Sequence, residues 1–230
     1  MSRAQGYAKG RATRERILDA AETAFGEVGF RGASLREIAQ RVGLSHPGLL
    51  HHFPSKEALL LAVLERRDEV DRARIEQEEG GAARLRRLVE VVGGGVERRA
   101  IIELFAVMSV EATNPDHPAH QYFDARYRRV VAEIADSYRD ADSRGELIAS
   151  LDPDQAAITL VALMDGLQVQ WLYHPELVDL GAALTRHLDG QLRTALDDGV
   201  GYVRTGGAAG KESFGRWAAS SGSTGSSTTT

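Results

Sequence analysis

The chain has 230 residues, of which 43% are hydrophobic, and a formal net charge of −5. That size and apolar content allow one large domain, or a small domain joined to a larger one, and exclude global disorder. The absence of cysteine excludes disulfides and thiolate metal sites. With no signal-peptide core and no membrane-length apolar run, a soluble cytoplasmic protein outside the membrane is expected.

Residues 1–12 are polar and basic (Arg3, Lys9, Arg11) and show no periodicity, so a flexible arm is expected there. From about Thr13, the apolar positions Ile17, Ala20, Ala21, Ala24, Phe25 and Val28 follow one face of an amphipathic helix. Gly29 is placed to cap its C-terminus. Ser34 and Glu37 have capping-box spacing, so a second helix should start at residue 35, bury Leu35, Ile38, Ala39 and Val42, and stop at Gly43. Ser45 is the next N-cap, with Pro47 in the first turn, where a missing N–H costs nothing. Leu49, Leu50 and Phe53 anchor this short helix, and Pro54 ends it. Ser55 then caps a long helix over about 56–79. Its later turns are heavily charged, as in a solvated strut between two bodies.

Gly80-Gly81 marks a seam, and beyond it no alternating strand pattern occurs. Helices are expected near 82–92, 98–113, 118–142, 153–173 and 176–198. Asp152-Pro153-Asp154-Gln155 gives a strong start signal for the fourth of these. Residues 205–230 are rich in Gly, Ser and Thr and read as a disordered tail. The expected fold is therefore all-α, with about nine helices. Its divisions are an arm (1–12), a three-helix helix-turn-helix head (13–58), a helical body (59–204) and a tail (205–230).

A helix as short as 46–51 cannot hold itself together in water and must be packed by its neighbours. Its outer face then presents His46, Gly48 and His51, a layout suited to the major groove of double-stranded DNA. Pro47 and Gly48 would let the backbone approach closely, and the helix N-terminus and Lys56 can each bind phosphate. Charge agrees with this reading. Residues 1–56 hold nine Lys and Arg against five Asp and Glu, a balance of +4, and leave −9 on the remainder. A metal site at His46, His51 and His52 is not expected, because that spacing does not converge on a short helix.

From Thr13 to about Leu60 the sequence resembles the tetracycline-repressor (TetR) family of bacterial regulators. The resemblance lies in Thr13-Arg14-Glu15-Arg16-Ile17-Leu18-Asp19-Ala20-Ala21, Phe25, Gly29-Phe30, Ser34-Leu35-Arg36-Glu37-Ile38-Ala39, Gly43-Leu44-Ser45, Leu49, His51-His52-Phe53 and Ser55-Lys56-Glu57-Ala58-Leu59. It implies a DNA-binding head on a helical ligand-binding body that dimerises through its last two helices. It also implies that Ser45, His46, the backbone of Pro47 and Gly48, and His51 face DNA, with Lys56 on a phosphate. Family members commonly place a pair such as Gly-Thr where this chain has Pro47-Gly48, and Tyr where it has Leu50. That Tyr reaches the phosphate backbone and Leu cannot, so backbone affinity is expected to lean on the arm and on Arg36.

In the body, Phe105, Met108, Tyr122, Phe123, Tyr127, Met164 and Trp171 are candidates to line a pocket for a small apolar or aromatic effector. Plain core packing is the alternative for each. Among polar groups near the apolar stripes, Arg126 and Gln168 are the candidate ligand contacts. Asp165-Gly166-Leu167 resembles a segment common in this family's last helices, which favours a structural role for Asp165. Helices 153–173 and 176–198 supply the apolar surface for a homodimer, which would set two copies of helix 46–51 about 34–36 Å apart on a palindromic operator. The expected function is thus a ligand-released repressor; the alternative is a dimeric DNA-binding regulator with no small-molecule effector. No nucleophile elbow, phosphate loop, dinucleotide fingerprint or zinc motif is present, so neither an enzyme nor a cofactor is expected.

Overall fold

The computed structural model describes residues 3–94 and 99–193. Among them nine helices follow in order: α1 (Arg3–Gly32), α2 (Leu35–Arg41), α3 (His46–His52), α4 (Lys56–Ile75), α5 (Gly81–Gly93), α6 (Arg99–Glu111), α7 (His120–Ser143), α8 (Pro153–Tyr173) and α9 (Leu180–Asp189). The only extended pairing among the described residues is an antiparallel bridge between Leu147 and Leu192. The expected tail, 205–230, lies outside the described residues.

The helix starts divide into those set by a side-chain cap and those that are not. The Ser45 hydroxyl accepts from the Gly48 N–H at 3.2 Å, and the Ser55 hydroxyl accepts from Ala58 N–H at 3.1 Å. Asp152 accepts from both Asp154 and Gln155, at 2.9 and 3.2 Å. Ser34 departs from expectation: it has the extended backbone of an N-cap but makes no side-chain cap bond, so the capping box is not formed. The first helix starts at Arg3, ten residues before the apolar stripe begins. Periodicity detects a repeating apolar face, and residues 3–12, with Ala, Arg, Gln and Lys beside Gly6, Tyr7 and Gly10, carry no such pattern. Gly29, at φ 70° and ψ 169°, interrupts the helical geometry near the end of α1.

Two later boundaries also differ. α4 ends at Ile75, short of 79, and the chain turns at Gly80 and Gly81 through φ values of 124° and 55°. Glu146 then accepts from Ala82 N–H at 2.8 Å, capping α5 from a distant loop. α9 begins at Leu180, not near 176, because Leu177 and Val178 N–H groups turn back onto the His174 carbonyl and Asp179 supplies the cap to Ala182. It stops at Asp189, and residues 194–198 of the expected helix are outside the described range.

α8 corrects one expectation: its 21 residues are long and apolar enough to cross a membrane by length and composition. Its apolar character has a different use here. Ala157 and Leu160 are fully buried, and the helix packs on α6, α7 and α9.

Two cores result. The first unites Ile17, Leu18, Phe25, Ile38, Leu49 and Phe53 of the head with Leu59–Leu64 of α4, and continues into Ile101, Phe105 and Met108 of α6 and Phe123 of α7. Head and upper body thus share one apolar interior that does not stop at residue 58. The second core joins α5, α7, α8 and α9 around Leu85, Tyr138, Leu160, Leu184 and Leu188.

Candidate functional site

The head presents α3 on a rigid support. Leu49 is fully buried and Phe53 nearly so, with the Arg14 guanidinium 4.9 Å from the Phe53 ring centroid. The turn before α3 is held by Gly43 at φ 70°, by Leu44 N–H donating to Ala39 O at 2.8 Å, and by Arg16 donating to Val42 O at 2.6 Å. Arg36, Ser45, Pro47 and His51 are exposed; His46 and Gly48 are half-buried. His52, also half-buried, packs edge-on against His51 at 5.8 Å. Gly48 has a local reason to be glycine as well: a Cβ there would stand 3.2 Å from the capping hydroxyl of Ser45.

Lys56 has work inside the protein. Its ammonium donates to the carbonyls of Arg31 and Ala33, each at 3.2 Å, and sits 4.7 Å from the Phe30 ring centroid. It ties the end of α1 to the start of α4 through two of its three N–H donors.

Between head and body, Arg66 of α4 reaches three carboxylates of α1: Glu15 at 3.4 Å, Asp19 at 2.7 Å and Glu22 at 2.8 Å. The next two residues face the body. Arg67 stacks over Phe105 at 4.2 Å. Asp68, largely buried, accepts from Arg126 Nε at 2.9 Å, from Arg129 at 2.8 Å and from the Tyr122 hydroxyl at 2.8 Å. Burial and the Asp68 charge together push the Tyr122 hydroxyl pKa well above its usual value.

Asp68 also lines a cavity of about 500 Å³ bounded by α4, α5, α6, α7 and α8. Phe105, Phe123, Arg126, Tyr127, Met164 and Gln168 line it. The other three expected pocket residues do not. Met108 is buried in the first core, Tyr122 is turned onto Asp68, and Trp171 packs with Ile102 and Leu180 under the Arg99 guanidinium. The sequence does not single out Asp68, which sits in charged turns of α4 that read as solvent-facing, or Arg129 on α7. The Arg126-x-x-Arg129 spacing was the available signal, because it puts both guanidiniums on one helical face.

Asp165, expected to be structural, also lines the cavity. It accepts from the Tyr127 hydroxyl at 2.8 Å. Burial raises its pKa, opposed by the Tyr127 hydrogen bond and the nearby Arg126 charge. Burial and Asp165 in turn push the Tyr127 hydroxyl up to about 12.

Known proteins match both halves of this arrangement. Residues 17–63 match the family described as bacterial regulatory proteins, tetR family, and residues 81–197 match the BetI-type transcriptional repressor C-terminal family. The repressor KstR2 of Rhodococcus jostii is 30% identical over 125 residues; the match covers 54% of this chain and about half, 55%, of that protein. The regulator TtgR of Pseudomonas putida is 27% identical over 197 residues, covering 77% of this chain and 88% of that one. Among solved structures, SmeT of Stenotrophomonas maltophilia in complex with triclosan is 26% identical, with a TM-score of 0.66 over 84% of this chain and 96% of that one. A head that holds a short exposed helix on a core shared with an all-helical body, matched along both segments, places this chain in the TetR family of bacterial transcriptional regulators, which bind DNA and are not enzymes.

Proposed function

We propose that the protein is a homodimeric repressor that binds a palindromic operator through α3 and is released when a small apolar or aromatic effector fills the body cavity. The observation that carries this reading is the cavity's position. Its wall includes Asp68 and Phe105, which belong to the same two helices, α4 and α6, that pack against α1 of the head. A molecule entering there perturbs the surface on which the head rests.

Dimerisation is supported by apolar surface that one chain leaves uncovered on α8. Ile158 is 48% exposed, Val169 43% and Tyr173 77%. In this reading His46 and His51 meet base edges, Arg36 and the N-terminal turns of α1 meet phosphates, and the two α3 helices enter successive major grooves. SmeT's complex with a small molecule, triclosan, supports an effector.

The test is retardation of DNA from upstream of the gene by purified protein at low salt, followed by titration with apolar aromatic compounds. Loss of the retarded band without loss of folded protein is expected. A band that no such compound releases favours a regulator whose body serves only dimerisation.

A further inference from the structure

Among the described residues, the cavity wall carries the guanidiniums of Arg67, Arg72, Arg84, Arg126 and Arg129 and the carboxylates of Asp68, Asp71, Glu76, Glu133 and Asp165. The two sets are unequally engaged. Asp68 accepts from Tyr122, Arg126 and Arg129, Asp71 from Arg67 at 3.3 Å, and Asp165 from Tyr127. Glu76 and Glu133 are exposed. Most of the guanidinium N–H groups, of which each arginine has five, are uncommitted. Arg126 and Arg129 each give one to Asp68, and Arg84 gives one to the Glu78 carbonyl at 3.1 Å. Arg72 has no hydrogen-bond partner among the described residues. The Nε atoms of Arg84 and Arg129 are buried without a hydrogen-bond partner, a costly state for a charged donor. Two of these groups also share a focus. Arg72 Nε of α4 and Arg129 Nε of α7 each stand 3.8 Å from the same oxygen, Glu133 Oε1, too far for a hydrogen bond. The Glu133 side chain is 50% exposed, so it marks a place for an anion and binds it loosely. The wall beside these groups is apolar: Leu85 and Leu88 follow Arg84 on α5, and Val130 and Ile134 flank Glu133 on α7.

We propose, building on the reading of this cavity as the effector site, that the effector is an apolar molecule with a carboxylate head, which docks between Arg72 and Arg129 in the place that Glu133 marks. Glu133 swings out to solvent as the head enters. The head brings two acceptor oxygens to open guanidinium N–H groups, and charge-assisted bonds of this kind are the strong ones. The covered Nε atoms of Arg84 and Arg129 reach it by rotation of their long side chains, which relieves both unpartnered donors. A hydroxyl head offers a weaker acceptor, and an ammonium head meets like charge.

The experiment uses three probes with one carbon skeleton, naphthoate, naphthylmethanol and naphthylmethylamine, titrated calorimetrically into the intact protein. Nile red serves as a neutral reporter of cavity occupancy. Naphthoate should displace Nile red and bind more tightly than the alcohol by about 10- to 100-fold, the range of a hydrogen bond to a charged group, with the amine no tighter than the alcohol. Arg72→Gln should remove most of that preference. Arg84→Gln tests the same head site from α5, should the first variant fold poorly. Glu133→Gln removes the competing charge and should raise the ratio of naphthoate to alcohol affinity above the parent's, an effect that a merely structural Glu133 would not produce.

Equal affinity for all three probes, or tighter binding of the alcohol or the amine, overturns the head-group proposal and leaves the cavity as an effector site. The same holds if Nile red binds and none of the three does, or if naphthoate binds without displacing Nile red. A preference that survives in both arginine variants, or a ratio that does not rise in Glu133→Gln, overturns the placement of the head. If neither Nile red nor any probe binds, the effector-site reading falls, and this proposal falls with it.

Discussion

Gly26 of α1 meets Ala100 of α6 with no room for a side chain between them. A Cβ at Gly26 would overlap that of Ala100 and lie 2.8 Å from its Cα. This close approach seats the body's cavity-lining helix directly on the head. Gly26→Ala should therefore destabilise the protein by about 1–3 kcal/mol, the usual cost of overpacking. Ala100→Gly in the same chain should recover part of that loss. Chemical denaturation of the single and double variants checks this, and simple additivity would show that the two residues do not meet.

Arg66 is the polar counterpart of that contact, holding Glu15, Asp19 and Glu22 of α1. Two of those carboxylates are more than half exposed, so Arg66→Ala should cost only about 1 kcal/mol of stability. Its larger effect is expected on communication. The ratio of DNA affinities with and without effector should shrink in this variant, as measured by anisotropy. An unchanged ratio would leave α4 without a transmitting role at this residue.

Lys56 and His46 should separate on DNA. His46→Ala should relax base preference. Lys56→Ala should weaken all sequences alike and lower the salt slope by about one unit if its remaining N–H holds a phosphate. The structure adds a second expectation. Because Lys56 also binds the Arg31 and Ala33 carbonyls and the Phe30 ring, its removal should lower stability by about 1–2 kcal/mol. A lowered salt slope with unchanged stability would show that these internal contacts carry no weight.

Asp165 gives a pH signature. Burial raises its pKa in the folded chain, so the folded state holds its proton more tightly than the unfolded state does. Its favourable contribution is complete below the ordinary carboxylate range and is lost as pH rises through the raised value. Asp165→Asn should thus melt higher than the parent at neutral pH, with the gain vanishing in acid. Melting curves across that range decide it; a gain that grows on acidification would reverse the assignment.

Many helix starts and turns, in the head above all, were legible in the sequence, because caps and turns are local. Ser45, Ser55 and Asp152 each take the backbone N–H groups that their spacing promised, and Gly29 and Gly43 adopt the positive φ that glycine allows. Ser34 had the same spacing and makes no such bond, so a cap motif fixes where a helix starts more securely than which bonds it forms. The polar wall of the cavity was legible only in part: Arg126 and Gln168 were expected on it, and Asp68 and Arg129 were not. Asp68 sits in a run of charges, and only the fold shows that Arg126 and Arg129, some sixty residues further on, close over it. Met108 and Trp171 show the converse. An apolar residue on a central helix can face a core or a cavity, and helical periodicity alone does not say which.

The most direct measurement is a fluorescence-anisotropy titration of the intact protein, and of His46→Ala, on the gene's own upstream DNA and on a scrambled duplex of equal length. The parent protein should bind the upstream DNA with two protomers per site and at least about a thousandfold preference over the scrambled duplex, and His46→Ala should lose much of that preference. Equal affinity of the parent protein for both duplexes would contradict the assignment of α3 as the reading helix.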